Sequence, residues 1–151
     1  MIAADESFMR LALAAARTAA DAGEVPVGAV VVIDGAVAGR GGNALVGSAD
    51  PTAHAEIVAL REAACAAGAA RLPGSTLYVT LEPCLMCLGA MVHARVARLV
   101  FGASDPKLGA TRLFTSLPVG LHGLNHRIEV AGGVLADEAA GLLRDFFRER
   151  R

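Results

Sequence analysis

The stretch "TLYVTLEPCLMCLGAMVHA", residues 76–94, decides the fold. Thr76–Leu81 alternates and is rich in strand formers, Pro83 interrupts, and from Cys84 onward the pattern is helical. A strand that runs straight into a helix is the building unit of an α/β domain. Upstream, "VGAVVVIDGAVAGRG" from residue 27 holds a β-branched run followed by Asp34-Gly35, the pair suited to a two-residue hairpin turn with positive backbone angles. Two antiparallel strands are predicted there, so the sheet is mixed.

The remaining elements follow from the same signals. A first helix is expected with Asp5 as its cap, Phe8, Leu11, Ala12, Ala15 and Ala19 on its packing face, and Gly23 as its stop. Asp50-Pro51 marks a turn, and an Ala-rich helix runs from about His54 to Ala67, closing at Gly68. Leu99–Gly102 reads as a short strand, 103–125 as a long irregular loop with one helical turn, and "RIEVAGGVL" from 127 as a further strand. The last helix starts near Asp137, with Leu142, Leu143, Phe146 and Phe147 on its apolar face and "RERR" placing cations at its carboxyl end. The prediction is a three-layer α/β/α domain over residues 1–151, helices covering a mixed five-stranded sheet.

Composition sets the outer limits. A chain of 151 residues, 54% of them hydrophobic, has room for one core, and its apolar runs are too short for a membrane span. "MIAADESFMR" lacks the basic start and apolar core of a secretory signal, and three cysteines cannot all pair within one chain, so a reducing cytoplasm is expected. The formal charge of −1 argues against a generally basic nucleic-acid binder. The halves nonetheless differ: residues 1–75 carry five Arg against eight acids, and 76–151 carry nine Lys or Arg against seven acids. A basic face built from the second half is therefore compatible with the sequence, as are charges simply scattered over the surface.

The chemistry gathers at two helix starts, where α/β folds build sites. Cys84 and Cys87, three apart, place both sulfurs on one side of a helical turn, and the unpaired N–H groups there favour thiolates. With His54 they form one nitrogen and two sulfur ligands, a set suited to zinc that leaves a fourth tetrahedral position for water. Glu56 can then take the proton of the zinc-bound water as it becomes hydroxide, and deliver it to a substrate. Each residue also has a plainer reading. A His beside an apolar helix is commonly structural, a Glu at a helix start commonly serves the dipole, and Cys-x-x-Cys alone fits a redox motif or half a structural zinc site.

"HAE" followed by "PCLMC" carries the known H-x-E…P-C-x-x-C signature of zinc-dependent base deaminases. Beyond it, "EVPVGAV" from 24, Asn43, "DPTAHAEIVALR" from 50, "TLYVTLEPCLMCLGAMVHARVARLVFGASDPKLGA" from 76, "LNHRIEV" from 124 and "LADEAAGLLRDFFRERR" from 135 resemble the bacterial tRNA-specific adenosine deaminases, in the cytidine/deoxycytidylate deaminase superfamily. The resemblance implies a cytidine-deaminase-like fold, a homodimer and one Zn2+ per subunit. It implies hydrolysis of adenosine to inosine at the anticodon wobble position of a tRNA, an arginine tRNA with an ACG anticodon in the first place. On this resemblance His54, Cys84 and Cys87 hold zinc and Glu56 shuttles the proton. Asn43 contacts the flipped-out nucleoside, Val27, Ala55 and Leu81 wall the pocket, and Asp105 and Lys107 meet the neighbouring RNA.

"LGATRLFTSL" from 108 departs from the family pattern, with Arg112 and Phe114 where a smaller, more polar stretch belongs. Two rivals share the motifs: a deaminase of the same fold acting on free guanine, cytosine or a nucleoside, and a non-catalytic RNA-binding zinc domain, for which Glu56 would have no use. Of the remaining residues, Cys65 in "AACAAG" is expected as a buried apolar thiol, and Met86 and Met91 as packing or interface residues. His93 is expected to be structural or near a dimer contact, and His122 and His126 lie where they can be structural or touch RNA.

Overall fold

The computed structural model describes residues 2–113 and 126–150. Helix α1 (Ile2–Asp21) leads into strands β1 (Gly28–Ile33) and β2 (Ala36–Gly42), helix α2 (Ala55–Ala67), strand β3 (Thr76–Leu81) and helix α3 (Leu85–Ala94). Strands β4 (Arg98–Ala103) and β5 (Glu129–Ala131) and helix α4 (Ala136–Glu149) follow. The hairpin closes as expected: Asp34 and Gly35 have φ of 51° and 77°, and Ile33 pairs with Ala36 across them.

The sheet order is β2-β1-β3-β4-β5. β1 is antiparallel to β2 and β3, while β3–β4 and β4–β5 are parallel, so the sheet is mixed. Helices α2 and α3 cover one face, where Val31, Ala59, Leu77, Met91 and Leu99 are buried. Helices α1 and α4 cover the other, over Met9, Val30, Tyr78, Val100 and Ala139. Because β1 runs against its neighbours, its start lies beside the ends of β2 and β3. One edge of the sheet therefore collects the start of β1, the ends of β2, β3 and β4, and the amino ends of α2 and α3.

Two glycines set how closely the helices approach. A Cβ on Gly28 would lie 1.9 Å from the carbonyl oxygen of Ala12, and one on Gly39 would lie 2.4 Å from that of Ala59 and 2.6 Å from the nitrogen of Ala63. Helices α1 and α2 thus rest on the sheet backbone to backbone, with alanines on the helix side.

Several expectations are corrected. Helix α1 begins before Asp5, which lies in its first turn and is buried at 5% exposure rather than capping the end. The buried face is Met9, Ala12, Leu13, Ala16 and Ala19, with Phe8 half-buried against Tyr78 as expected, whereas Leu11 is exposed. Phe147 is also exposed, and Ala139 and Phe146 are the buried residues of α4. Cys65 is exposed, because the outer side of α2 is left uncovered at that turn. Phe114, His122 and most of the expected long loop lie outside the described residues.

Asp5 has a tertiary role instead. Its carboxylate accepts hydrogen bonds from Arg98 at 2.8 and 2.9 Å and from the Tyr78 hydroxyl at 2.8 Å, tying α1 to β3 and β4. The Arg98 hydrogen bonds hold the Asp5 carboxyl below the usual carboxylate range, while burial and Asp5 push the Tyr78 hydroxyl up to about 12. A depressed acid adds stability above its unfolded pKa and loses it as pH falls through the folded one. Asp5→Ala is expected to cost about 3 kcal/mol near neutral pH, the scale for breaking a buried pair. The gap to wild type should narrow below about pH 4 as Asp5 protonates. Urea denaturation across that range checks this, and a pH-independent gap would count against it.

Candidate active site

His54 is the N-cap of α2 and Cys84 the N-cap of α3, both in extended backbone, so each side chain leaves its helix at the amino end. Cys87 lies one turn further on and is fully buried. The His54 Nδ1 stands 3.6 Å from the Cys84 Sγ and 3.5 Å from the Cys87 Sγ, and all three donor atoms lie within 4.8 Å of one another. Residues thirty positions apart in the chain thereby form one group able to hold a metal ion. Burial, with Glu56 and Cys84 alongside, pushes the Cys87 thiol up. A cation is what makes this sulfur a thiolate.

Glu56, in the first turn of α2, is 3% exposed and lines the same space as His54 and Cys84. Burial pushes its carboxyl above the ordinary range, opposed by its own backbone N–H and by a hydrogen bond with Cys87. The floor of the site therefore joins three metal donors to a carboxyl group whose burial makes it hold a proton more tightly than an exposed carboxylate does.

Above this floor opens a cavity of ≈ 400 Å³, of the size that takes a nucleoside. Val27 and Leu81 line it, as do Asn43 and Asp105. Ala55 is buried and reaches the site through its backbone, donating its N–H to the Asn43 Oδ1 at 2.8 Å. That bond ties the end of β2 to the start of α2 and leaves the Asn43 NH2 without another bond among the described residues. Asp105 combines two readings: it lines the cavity, and its Oδ1 accepts the N–H groups of Lys107 and Leu108 in a turn. Lys107 is exposed and does not line the cavity.

Other candidates fall elsewhere. His126 Nε2 lies 2.7 Å from the Val96 carbonyl oxygen, Met91 is in the core, and Met86 and His93 are exposed on α3. Sequence reasoning passed over Glu24, Leu45, Val46, Glu82 and Leu108, all of which line the cavity. The available signal was a single acid inside an apolar run, "GEVPVG" and "TLEPC".

A family model of MafB19-like deaminases matches residues 3–151. The tRNA-specific adenosine deaminase of Haemophilus influenzae is 50% identical, covering 97% of this chain and 85% of its own. A solved structure from work on A-to-I editing by tRNA:A34 deaminases at the wobble position matches with a TM-score of 0.84 and 48% identity, covering 91% of this chain and 99% of that one. A guanine deaminase from Nitrosomonas europaea matches with a TM-score of 0.79 and 29% identity, covering 93% and 83%. The fold is the cytidine-deaminase-like one, and the His/Cys/Cys group makes the protein a metal-dependent deaminase. By sequence over nearly its whole length and by fold, the chain belongs to the tRNA-specific adenosine deaminases.

Proposed function

We propose that this chain is one zinc-dependent deaminase domain that converts adenosine to inosine at the wobble position of a tRNA anticodon, with an ACG-anticodon arginine tRNA as substrate. The observation that carries the reading is half-identity to a tRNA-specific adenosine deaminase across 97% of the chain. Identity to the guanine deaminase is 29%.

The donor set fits zinc. Tetrahedral bonding at zinc–nitrogen and zinc–sulfur lengths of about 2.05 and 2.3 Å puts nitrogen and sulfur about 3.6 Å apart. The His54–Cys84 and His54–Cys87 separations of 3.6 and 3.5 Å agree with that edge. A zinc ion held by His54, Cys84 and Cys87 supplies the acidification of a water molecule. Glu56 would carry the first proton of that water to the ring nitrogen as its oxygen adds to the carbon bearing the amino group, and the second, from the added hydroxyl, to the amino nitrogen as the C–N bond breaks and ammonia leaves. Asn43 orients the nucleoside through its free NH2, Val27 and Leu81 flank the flat base, and Ala55 closes the wall behind Asn43. Asp105 and Lys107 meet the RNA beside the reacting nucleotide.

The chain is further read as a homodimer in the cytoplasm. Helix α3 turns Leu85, 67% exposed, and Met86, 37% exposed, outward beside the exposed His93, a face suited to a second copy. No helix among the described residues is long and apolar enough to cross a membrane.

Incubation with ACG-anticodon arginine tRNA and, separately, with free guanine, cytosine and adenosine tests the reading. Inosine at the wobble position and ammonia from the tRNA alone are expected. Ammonia only from a free base would transfer the assignment to the guanine-type rival.

A further inference from the structure

Besides Glu56 and Asp105, two carboxylates line the cavity outside the metal group. Glu24, between α1 and β1, is 5% exposed, and its two oxygens accept the backbone N–H groups of Val46 at 3.1 Å and Gly47 at 2.8 Å. Glu82, directly after β3, accepts the N–H of Asp105 at 3.0 Å through one oxygen. Its other oxygen accepts the Thr111 N–H at 3.3 Å and the Thr111 hydroxyl. Neither carboxylate pairs with a Lys or Arg among the described residues. Their oxygens accept main-chain N–H groups of two loops and, for Glu82, the Thr111 hydroxyl as well.

Those loops form the mouth of the cavity. Val46 and Leu108 line it while remaining 80% and 71% exposed, so their apolar side chains stand at its opening. Exposed loops with apolar tips have little packing to hold them and are ordinarily the most mobile part of a fold. Bonds from backbone N–H to a carboxylate are charge-assisted and fix the main chain whatever side chains it carries. The second loop wraps its peg closely: a Cβ on Gly109 would lie 2.4 Å from the Glu82 Cδ.

We propose that Glu24 and Glu82 are positioning residues for the nucleic-acid substrate. They hold the rim loops 45–47 and 105–111 so that Val46 and Leu108 receive the nucleotides flanking the reacting adenosine. This rests on the tRNA reading, since a free base would be gripped by the floor alone, whereas an RNA chain must cross the rim. Fixing the rim beforehand lowers the ordering cost of binding and leaves the chemical step untouched.

The test compares wild type with E24Q, E82Q, E82A and G109A on an ACG anticodon stem-loop, alongside amide hydrogen exchange and metal content. Expected are a KM raised about tenfold or more, kcat within about threefold, full metal content, and faster exchange at 46–47 or 105–111. E82Q, which keeps an acceptor, should fall between wild type and E82A. G109A leaves the carboxylate in place and displaces the loop, so it should reproduce E82A even if E24Q fails to fold. Unchanged exchange overturns the proposal. So does a loosened rim with unaltered KM, or a loss of kcat at constant KM. Failure of the tRNA reading shows separately, as a wild-type protein that makes no inosine. The dissociation constant of the stem-loop then replaces KM in deciding the proposal.

Discussion

Replacing Glu56 by alanine is expected to lower kcat by at least about a hundredfold, the scale for a positioned acid–base group, while the metal stays bound. The donor atoms come from His54, Cys84 and Cys87, so the substitution removes none of them. What it removes is a buried carboxyl, raised above the usual range by its burial, in the space the substrate must enter. Metal analysis and single-turnover deamination of the stem-loop check the two halves independently. Retained turnover would end the proton-shuttle role. Loss of metal together with activity would make Glu56 a structural support of the site.

The second large effect concerns the metal. Cys87→Ser is expected to weaken metal binding by more than the roughly hundredfold typical of losing an outer support, and to abolish turnover. Cys87 is fully buried, in the same apolar cluster as Leu88 and Met91. Its thiol is pushed up by burial, so metal entry must expel a proton there. The sign follows: as pH falls, protons compete for the sulfur and the metal leaves. Wild-type protein should lose its metal to a fixed chelator concentration more readily at lower pH. Elemental analysis after dialysis at stepped pH measures this, and a C87S protein at full occupancy would contradict the ligand assignment.

What could be read from the chain was whatever is encoded locally. Asp34-Gly35 specifies its turn by backbone angle, Thr76–Leu81 specifies its strand by alternation, and the two metal segments declare themselves by spacing. Asp5 was misread because an acid near a helix start has a good local explanation, while its true partner, Arg98, is ninety-three residues away. Glu24 and Glu82 follow the same rule: their partners are backbone N–H groups, which leave no mark in a sequence, and for Glu82 a threonine hydroxyl twenty-nine residues away. The face of α1 was misjudged by about one residue, because alanines and leucines surround that helix and the buried set depends on where the sheet lies. Cys65 was assigned to the interior by residue type, and only the layer arrangement leaves it outside.

The seating of α2 on Gly39 separates two kinds of inherited change. Because main chain meets main chain there, the depth of the helix that carries His54 and Glu56 is not set by side chains able to repack. Exchanges among the leucines and valines of the core, trading stability up and down, leave this backbone contact unaltered, and with it the height of His54 and Glu56 over the sheet. The half of the site carried by α2 is insulated from drift in the core, and the residues that provide the insulation are among the smallest in the chain.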